Sequence, residues 1–223
     1  MTQPSTPRIA VITVGQTPRV DLVPEMRTWM DSAVEMVEFG VLDRLDDAVI
    51  ARMAPSPAEA RLVTRLADGR EVIVRRDLVH ERLQFLLDTI ATDAYRCTVL
   101  LCTGHFPGLR AGGLFLDAQS IVDHAVWSMT GHASRVGVML PVREQIAEFH
   151  FTPGPGQELM AAAASPYRAD DFARAAHELT DADLVVMHCM GYTEAMRRSV
   201  AAVTGRPVLL ARRLVASAVS QLL

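Results

Sequence analysis

The sequence is poor in aromatic residues, which make up 5% of it, and it holds three cysteines. It has no apolar run near the roughly 18 residues that a membrane-spanning helix needs, so no membrane partner is expected. No apolar segment of the secretory type stands at the amino terminus, and an odd cysteine count argues against a disulfide framework. Free thiols in a reducing cytoplasm are expected. Pairs of the form C-x-x-C or H-x-x-x-H are missing, so no zinc site is expected, and no cofactor either. Excess charge of one sign is also scarce. The net charge is −4 and the basic residues are scattered, which leaves nothing resembling a nucleic-acid footprint.

What is present is an apolar half rich in Ala, Val and Leu within 223 residues, enough for a real core in one α/β unit or two small lobes. The chain is organised around Arg96 to Gly108, RCTVLLCTGHFPG. Cys97 to Leu101 is a continuous apolar run, as a strand buried on both faces requires. Thr103-Gly104-His105-Phe106-Pro107-Gly108 then forbids regular continuation, because glycine admits unusual backbone angles and proline removes a donor. This puts Cys102 at the carboxyl end of a central strand, where open α/β sheets place their ligands. The pattern returns 87 residues later: Asp183 to His188 runs into Cys189, followed by Met190-Gly191-Tyr192-Thr193.

In chain order, a polar tail at Met1–Pro7 is expected to fray. Ile9 to Val14 reads as the first strand. Gly15-Gln16-Thr17-Pro18-Arg19 then turns into a helix, with Thr17 as N-cap, Pro18 at the first helical position and Val23, Met26 and Met30 inward. A helix start with a guanidinium beside it is an anion site, so Arg19 is a candidate carboxylate holder; the alternative is a solvated charge. A second strand at Ala33–Val41 precedes a short helix ending near Pro55. Arg61 to Val74 is a hairpin around Asp68-Gly69, taken as an insertion beside the sheet: a lid, a dimer contact or, first of all, an edge decoration. A helix at Asp77–Thr92 leads into the Cys102 strand. Beyond it come a short strand at Leu114–Leu116, a helix through Ile121 and Met129, a strand at Arg135–Leu140 and a helix from Pro141. Pro153-Gly154-Pro155-Gly156 is a break. A strand at Leu159–Ser165 and a helix through Phe172 and Leu179 lead to the Cys189 strand. A helix through Met196 and Val203 closes at Gly205, and a strand at Pro207–Leu210 and a helix at Leu214–Leu222 end the chain.

The alternation predicts about six buried strands in a parallel α/β architecture. The repeated strand-Cys-turn-helix unit predicts two pseudo-symmetric lobes across a cleft. The first is residues 1–120, completed by 208–223, and the second is 121–207.

Two thiols facing one cleft suit proton abstraction beside a carboxylate and return on the opposite face. A thiol serves if helix N-termini and nearby donors draw its pKa from about 8.5 towards neutrality. Cys102 and Cys189 are the candidate catalytic pair; the plain alternative is that each packs as a small hydrophobe. Cys97, at its strand's start, reads as core filler. Thr103 and Thr193 are candidate donors to a substrate carboxylate. His105 and His188 flank the strand ends, either as acid–base partners or as satisfied structural histidines.

Several of these segments carry a resemblance. Thr13-x-Gly15-Gln16-Thr17-Pro18-Arg19 with Val23-Pro24-Glu25 resembles the opening of AroM-family proteins. So do Val63-Thr64-Arg65-Leu66-x-Asp68-Gly69, Leu101-Cys102-Thr103-Gly104-x-Phe106-Pro107, and Val136-Gly137-Val138 with Pro141 and Gln145. His188-Cys189-Met190-Gly191-Tyr192 resembles that family's second cysteine motif. The family is similar to the aspartate/glutamate/hydantoin racemase superfamily, which implies a racemase-like fold with a cysteine from each lobe facing the cleft. Amino-acid racemases carry Cys-Asn-Thr and Gly-Cys-Thr at these ends. Here Cys102-Thr103-Gly104 and His188-Cys189-Met190 match in the thiols but not in their neighbours. The reaction therefore stays open among racemase, isomerase and lyase. Thr13, Gln16, Thr17, Arg19, Thr103, Gly104, His105, Gly191, Tyr192 and Thr193 are the candidate substrate-binding residues for a small carboxylate. A non-catalytic binding or sensor protein on the same fold is the competing expectation, and a homodimer is left open.

Overall fold

The apolar runs at Ile9–Ile12, Val99–Leu101 and Val185–Met187 are wholly buried, as strands covered by helices on both faces must be. In the computed structural model, which describes residues 6–30, 33–149, 154, 156–169 and 172–223, these runs become inner strands of parallel sheets. The chain runs β1 (Arg8–Thr13), α1 (Val23–Arg27), β2 (Glu35–Gly40), α2 (Asp47–Arg52), β3 (Arg61–Arg65) and β4 (Glu71–Arg75). It continues with α3 (Arg76–Thr89), β5 (Thr98–Leu100), β6 (Phe115–Asp117), α4 (Ala118–Thr130), β7 (Arg135–Leu140) and α5 (Glu144–Glu148). It ends with β8 (Glu158–Ala163), α6 (Phe172–His177), β9 (Leu184–Met187), α7 (Glu194–Thr204), β10 (Val208–Leu210) and α8 (Ala211–Ser220). Of the expected polar tail, residues 1–5 lie outside the described residues, as do Pro153 and Pro155 of the break.

Two four-stranded parallel sheets result, rather than about six strands in all. Their wiring is the same. One runs β2-β1-β5-β6 and the other, read in the matching direction, β8-β7-β9-β10. In each, the first strand pairs with the second over six residues on one side and takes the cysteine strand on the other. The chain direction therefore reverses between β1 and β5, and again between β7 and β9. Such switch points open a crevice at the carboxyl ends of the strands. The outer strands β6 and β10 each pass directly into a helix, α4 and α8, and these two helices pack on each other. The segment 208–223 thus divides: β10 joins the second sheet, while α8 also reaches α1 of the first half.

One apolar cluster lies between the halves and joins Ile9, Val11, Val99, Val136, Val186 and Val215. A second fills the space below the first sheet, with α3 and the hairpin; a third lies below the second sheet, with α6 and α7.

Several local expectations change. The Thr17-Pro18 turn starts no helix, since Thr17 spends its N–H and hydroxyl on the Asp43 carboxylate (2.8 Å each). The helix begins at Val23, with Pro24 in its first turn, and ends before Met30. No helix follows Cys102 directly either; the irregular loop leads to β6 and only then to α4. The last helix starts at Ala211, three residues before the expected Leu214, because the strand passes into it without a turn. The hairpin β3–β4 is not an edge decoration. Its Leu62 and Val74 are buried, and Arg61 pairs with Glu148 (2.9 Å) and Glu71 with Arg168 (3.0 Å) in the second half. Gly15 is required where the hairpin meets the first sheet, since a Cβ there would stand 2.2 Å from the Arg65 carbonyl oxygen. No helix of the described residues is long and apolar enough to cross a membrane.

The packing of α3 generates a contrast. Leu83 is fully buried and Phe85, two residues on, is 72% exposed. Leu83→Ala should cost about 2–5 kcal/mol in urea unfolding, whereas Phe85→Ala should change stability by only about 0.5 kcal/mol or less. A larger loss at Phe85 than at Leu83 would mean that the helix is turned the other way.

Candidate active site

Each cysteine lies two residues beyond its strand, in matching backbone geometry. Leu101 donates its N–H to the Ile12 carbonyl (2.7 Å), and His188 donates to the Met139 carbonyl (3.0 Å). The chain then folds back so that the second N–H beyond each thiol points at the sulfur. Gly104 N–H reaches Cys102 Sγ and Gly191 N–H reaches Cys189 Sγ, both at 3.3 Å. Glycine matters at position 191, where a Cβ would stand 2.5 Å from the Tyr167 oxygen. Both thiols line one cavity of about 250 Å³. The Thr103 hydroxyl spans it, donating to the His188 carbonyl (3.2 Å), so the two cysteine loops are hydrogen-bonded to each other.

Burial dominates the thiol energetics. It pushes Cys102 up to about 12, against the Gly104 N–H. It raises Cys189 too, against the Gly191 N–H, Arg19 and Arg212. Two backbone donors therefore favour the thiolates, while burial keeps both sulfurs protonated in the unliganded protein.

Every side chain of permanent positive charge is arginine, as the sequence holds no lysine. Arg19, only 3% exposed, stands on the cavity wall. Its Nη1 donates to Thr13 Oγ1 (2.6 Å), Nε and Nη2 clamp Asp21 (2.9 and 2.8 Å), and Nη2 also reaches the Tyr167 hydroxyl (3.1 Å). Burial opposes the Arg19 charge, but Tyr167 and Asp21 outweigh it and hold the pKa above its ordinary value. Burial likewise opposes the Asp21 charge, and Arg19 and then Arg65 outweigh it and hold that carboxyl below its usual range. The guanidinium is thus mostly spent within the protein rather than presented as an open fork.

Of the candidate catalytic and carboxylate-binding residues, Thr13, Arg19, Cys102, Thr103, Gly104, His105 and Cys189 line this cavity, as does His188. The others lie outside its lining. Gln16 braces neighbouring loops through the carbonyls of Leu42 and Leu45 (3.3 and 3.4 Å), and Thr17 is held by Asp43. Gly191 sits behind the Cys189 sulfur. Tyr192 is fully buried, with its hydroxyl on the Ala164 carbonyl (2.8 Å). Thr193 caps α7 by accepting from Met196 N–H (3.2 Å). Cys97 is buried in the core between the halves.

Other lining residues come from afar: Leu62 and Thr64 from the hairpin, Gln119 from α4, Gln145 and Glu148 from α5, and Tyr167 from the loop after β8. His188 also lines the cavity, with its Nε2 3.3 Å from Asp123 and its ring edge-on to Phe149 at 4.9 Å. No local pattern marks Tyr167 or Asp21, and the hairpin pattern through Val63-Thr64-Arg65 carries no sign that this strand reaches the cavity. No cluster of three or more His, Cys, Asp or Glu able to hold a metal occurs among the described residues.

The sequence profile of the family described as "AroM protein" matches residues 9–223. No curated protein sequence matches the chain. Among solved structures, the fold is similar to an aspartate racemase of Picrophilus torridus, at 10% identity and a TM-score of 0.60, covering 96% of this chain and 93% of that one. It is also similar to an arylmalonate decarboxylase, at 14% identity and a TM-score of 0.59, covering 97% and 92%. A Nocardia farcinica maleate cis-trans isomerase, a cysteine-to-serine mutant with a covalently bound succinylcysteine intermediate, matches at 14% identity and a TM-score of 0.57, covering 98% and 93%.

The energetics of Cys102 predict its alkylation profile. A thiol pushed up to about 12 is protonated at neutral pH, so its reaction with iodoacetamide should still be accelerating at the most alkaline pH the fold survives. A rate that levels off near neutrality would show that donors, not burial, dominate at this sulfur.

Proposed function

The chain belongs to the AroM protein family, and from that premise we propose that it is a cofactor-independent isomerase or racemase of a small carboxylate, with Cys102 and Cys189 as its proton-transfer pair. One observation carries this reading: the thiols stand at equivalent strand ends of two identically wired sheets, face one cavity, and each receive a glycine N–H at 3.3 Å. In the proposed cycle one sulfur, as thiolate, removes the proton next to the substrate carboxylate. The other, as thiol, donates its proton to the opposite face. The configuration inverts and the two protonation states exchange, so the same site runs backwards with equal ease. Such a cycle needs one thiol that stays protonated, and burial provides it. The remaining Arg19 N–H, and the Thr103 hydroxyl once it turns from the His188 carbonyl, are the candidate carboxylate holders, and a cavity of about 250 Å³ suits a small acid. The similar folds are named as racemase, isomerase and decarboxylase, so a lyase using one thiol is an outcome of the test.

A non-catalytic binding protein is the second reading. It is favoured by the Asp21 clamp, which already neutralises Arg19, and by the burial that raises both thiols.

Incubation with a panel of small carboxylic acids in deuterated water separates these readings. Turnover should wash solvent deuterium into the position beside the carboxylate. Cys102→Ser and Cys189→Ser should each lower racemisation by about 10²–10⁴-fold, the usual contribution of a positioned acid or base. One essential and one dispensable cysteine would indicate a lyase. Ligand-dependent stabilisation without exchange or turnover in the wild type would establish the binding protein.

A further inference from the structure

The two halves share their wiring, but the residues behind their thiols differ. In each half the outer strand passes straight into a helix whose second residue is polar and buried. In α8 that residue is Arg212; in α4 it is Gln119. Arg212 is 0% exposed. Its Nε donates to the Met190 carbonyl (2.9 Å) and its Nη2 to the Gly191 carbonyl (2.8 Å). Its Nη1 reaches the Asp21 carbonyl (2.8 Å) and Glu25 Oε2 (2.6 Å). The peptide whose carbonyl takes the Nε bond is the one whose N–H, on Gly191, points at the Cys189 sulfur. A cation on the carbonyl end of a peptide polarises its N–H end, and chained hydrogen bonds in a dry interior strengthen one another. Gln119, by contrast, is neutral and bonds Asp123 (2.5 Å) on its own helix.

We propose that Arg212 is a positioning residue which locks and polarises the Met190–Gly191 peptide, so that Cys189 is the thiol that ionises first and Cys102 the one that stays protonated. Charged and titratable groups around the Cys189 sulfur are Arg19, Arg212, Asp21, Tyr167 and the Cys102 thiol. Arg19 acts on both thiols and bears more on Cys189 than on Cys102, with Asp21 pairing its charge, while Asp117 adds to burial in raising Cys102. Arg212 bears on Cys189 through the peptide that donates to its sulfur. Glu25 partly offsets its charge but sits on the far Nη1, not at the peptide. In the proposed reaction this makes Cys189 the base and Cys102 the acid in the resting state.

The assignment deepens the two-thiol reading, and a substrate-free titration tests it separately from turnover. Site-resolved iodoacetamide alkylation of the wild type across pH gives Cys189 an apparent midpoint, which does not depend on how easily the reagent reaches the sulfur, and gives Cys102 its midpoint or, where its rate is still rising, the alkaline limit of the fold as a lower bound. Cys189 should titrate at least about one unit below Cys102, a tenfold larger thiolate fraction. Arg212→Gln should raise the Cys189 midpoint by a similar amount and leave that of Cys102 in place, while Arg212→Lys should restore part of the difference. A purely structural role would shift both midpoints together or neither, and that result overturns the proposal. So does a wild type in which Cys102 ionises first, which decides the matter even if Arg212→Gln does not fold. Racemisation in the presence of a reversed order would sink this inference alone; a correct order without turnover would sink only the proposed reaction.

Discussion

A guanidinium buried out of reach of water must find an acceptor for nearly every N–H, because leaving such a charge uncompensated costs about 3–5 kcal/mol. That requirement at Arg212 shapes the centre of this protein. Its acceptors are a carbonyl in the loop after β1, a carboxylate on α1, and two carbonyls in the loop after β9. Glu25, its carboxylate partner, also accepts from the first N–H of α7 (3.2 Å). The first half, the second cysteine loop and the helix that follows it are thereby held in one register. Arg19 does the same from the other side of the loop, joining Thr13, Asp21 and Tyr167. The loops that carry the candidate chemistry are irregular, and these buried ion pairs give them a single conformation.

The cavity follows from topology. Two sheets with the same strand order each open a crevice at their switch point, and the close packing of α4 on α8 turns those crevices towards each other. The hairpin closes the remaining side. Leu62 stands in the cavity wall, and the ion pairs of Arg61 and Glu71 fasten the hairpin to the second half. The enclosure buries Cys189 and leaves Cys102 partly exposed. The same enclosure raises both thiols, so the proposed reaction depends on breaking the symmetry of two otherwise equivalent sites. Near-symmetric halves are suited to a reaction that must approach both faces of one carbon. In the proposed cycle, the unequal residues behind the thiols set where the proton rests.

The sequence by itself determined the parts written in short-range patterns. Continuous apolar runs ending in glycine-rich turns located the strands and the two cysteines at their ends. The Asp68-Gly69 pair located the hairpin, and Gly205, at φ +64°, the end of a helix. These features depend on neighbours within a few residues, so composition and spacing suffice. Tertiary structure alone decided the rest. Thr17 looked like a helix cap because its local context was right, but the Asp43 carboxylate, 26 residues away, claimed both of its hydrogen-bonding groups. Arg19 looked like an open anion fork until Asp21 and Tyr167 were brought to it. Arg212 shares the inward stripe of its helix with Val215 and Val219, a charge at a core position, and that periodicity was the one signal available for it. Its role could not be read there, because its partners come from residues 21, 25, 190 and 191. A buried charge is defined by the acceptors that surround it, and those acceptors are assembled only when the chain folds.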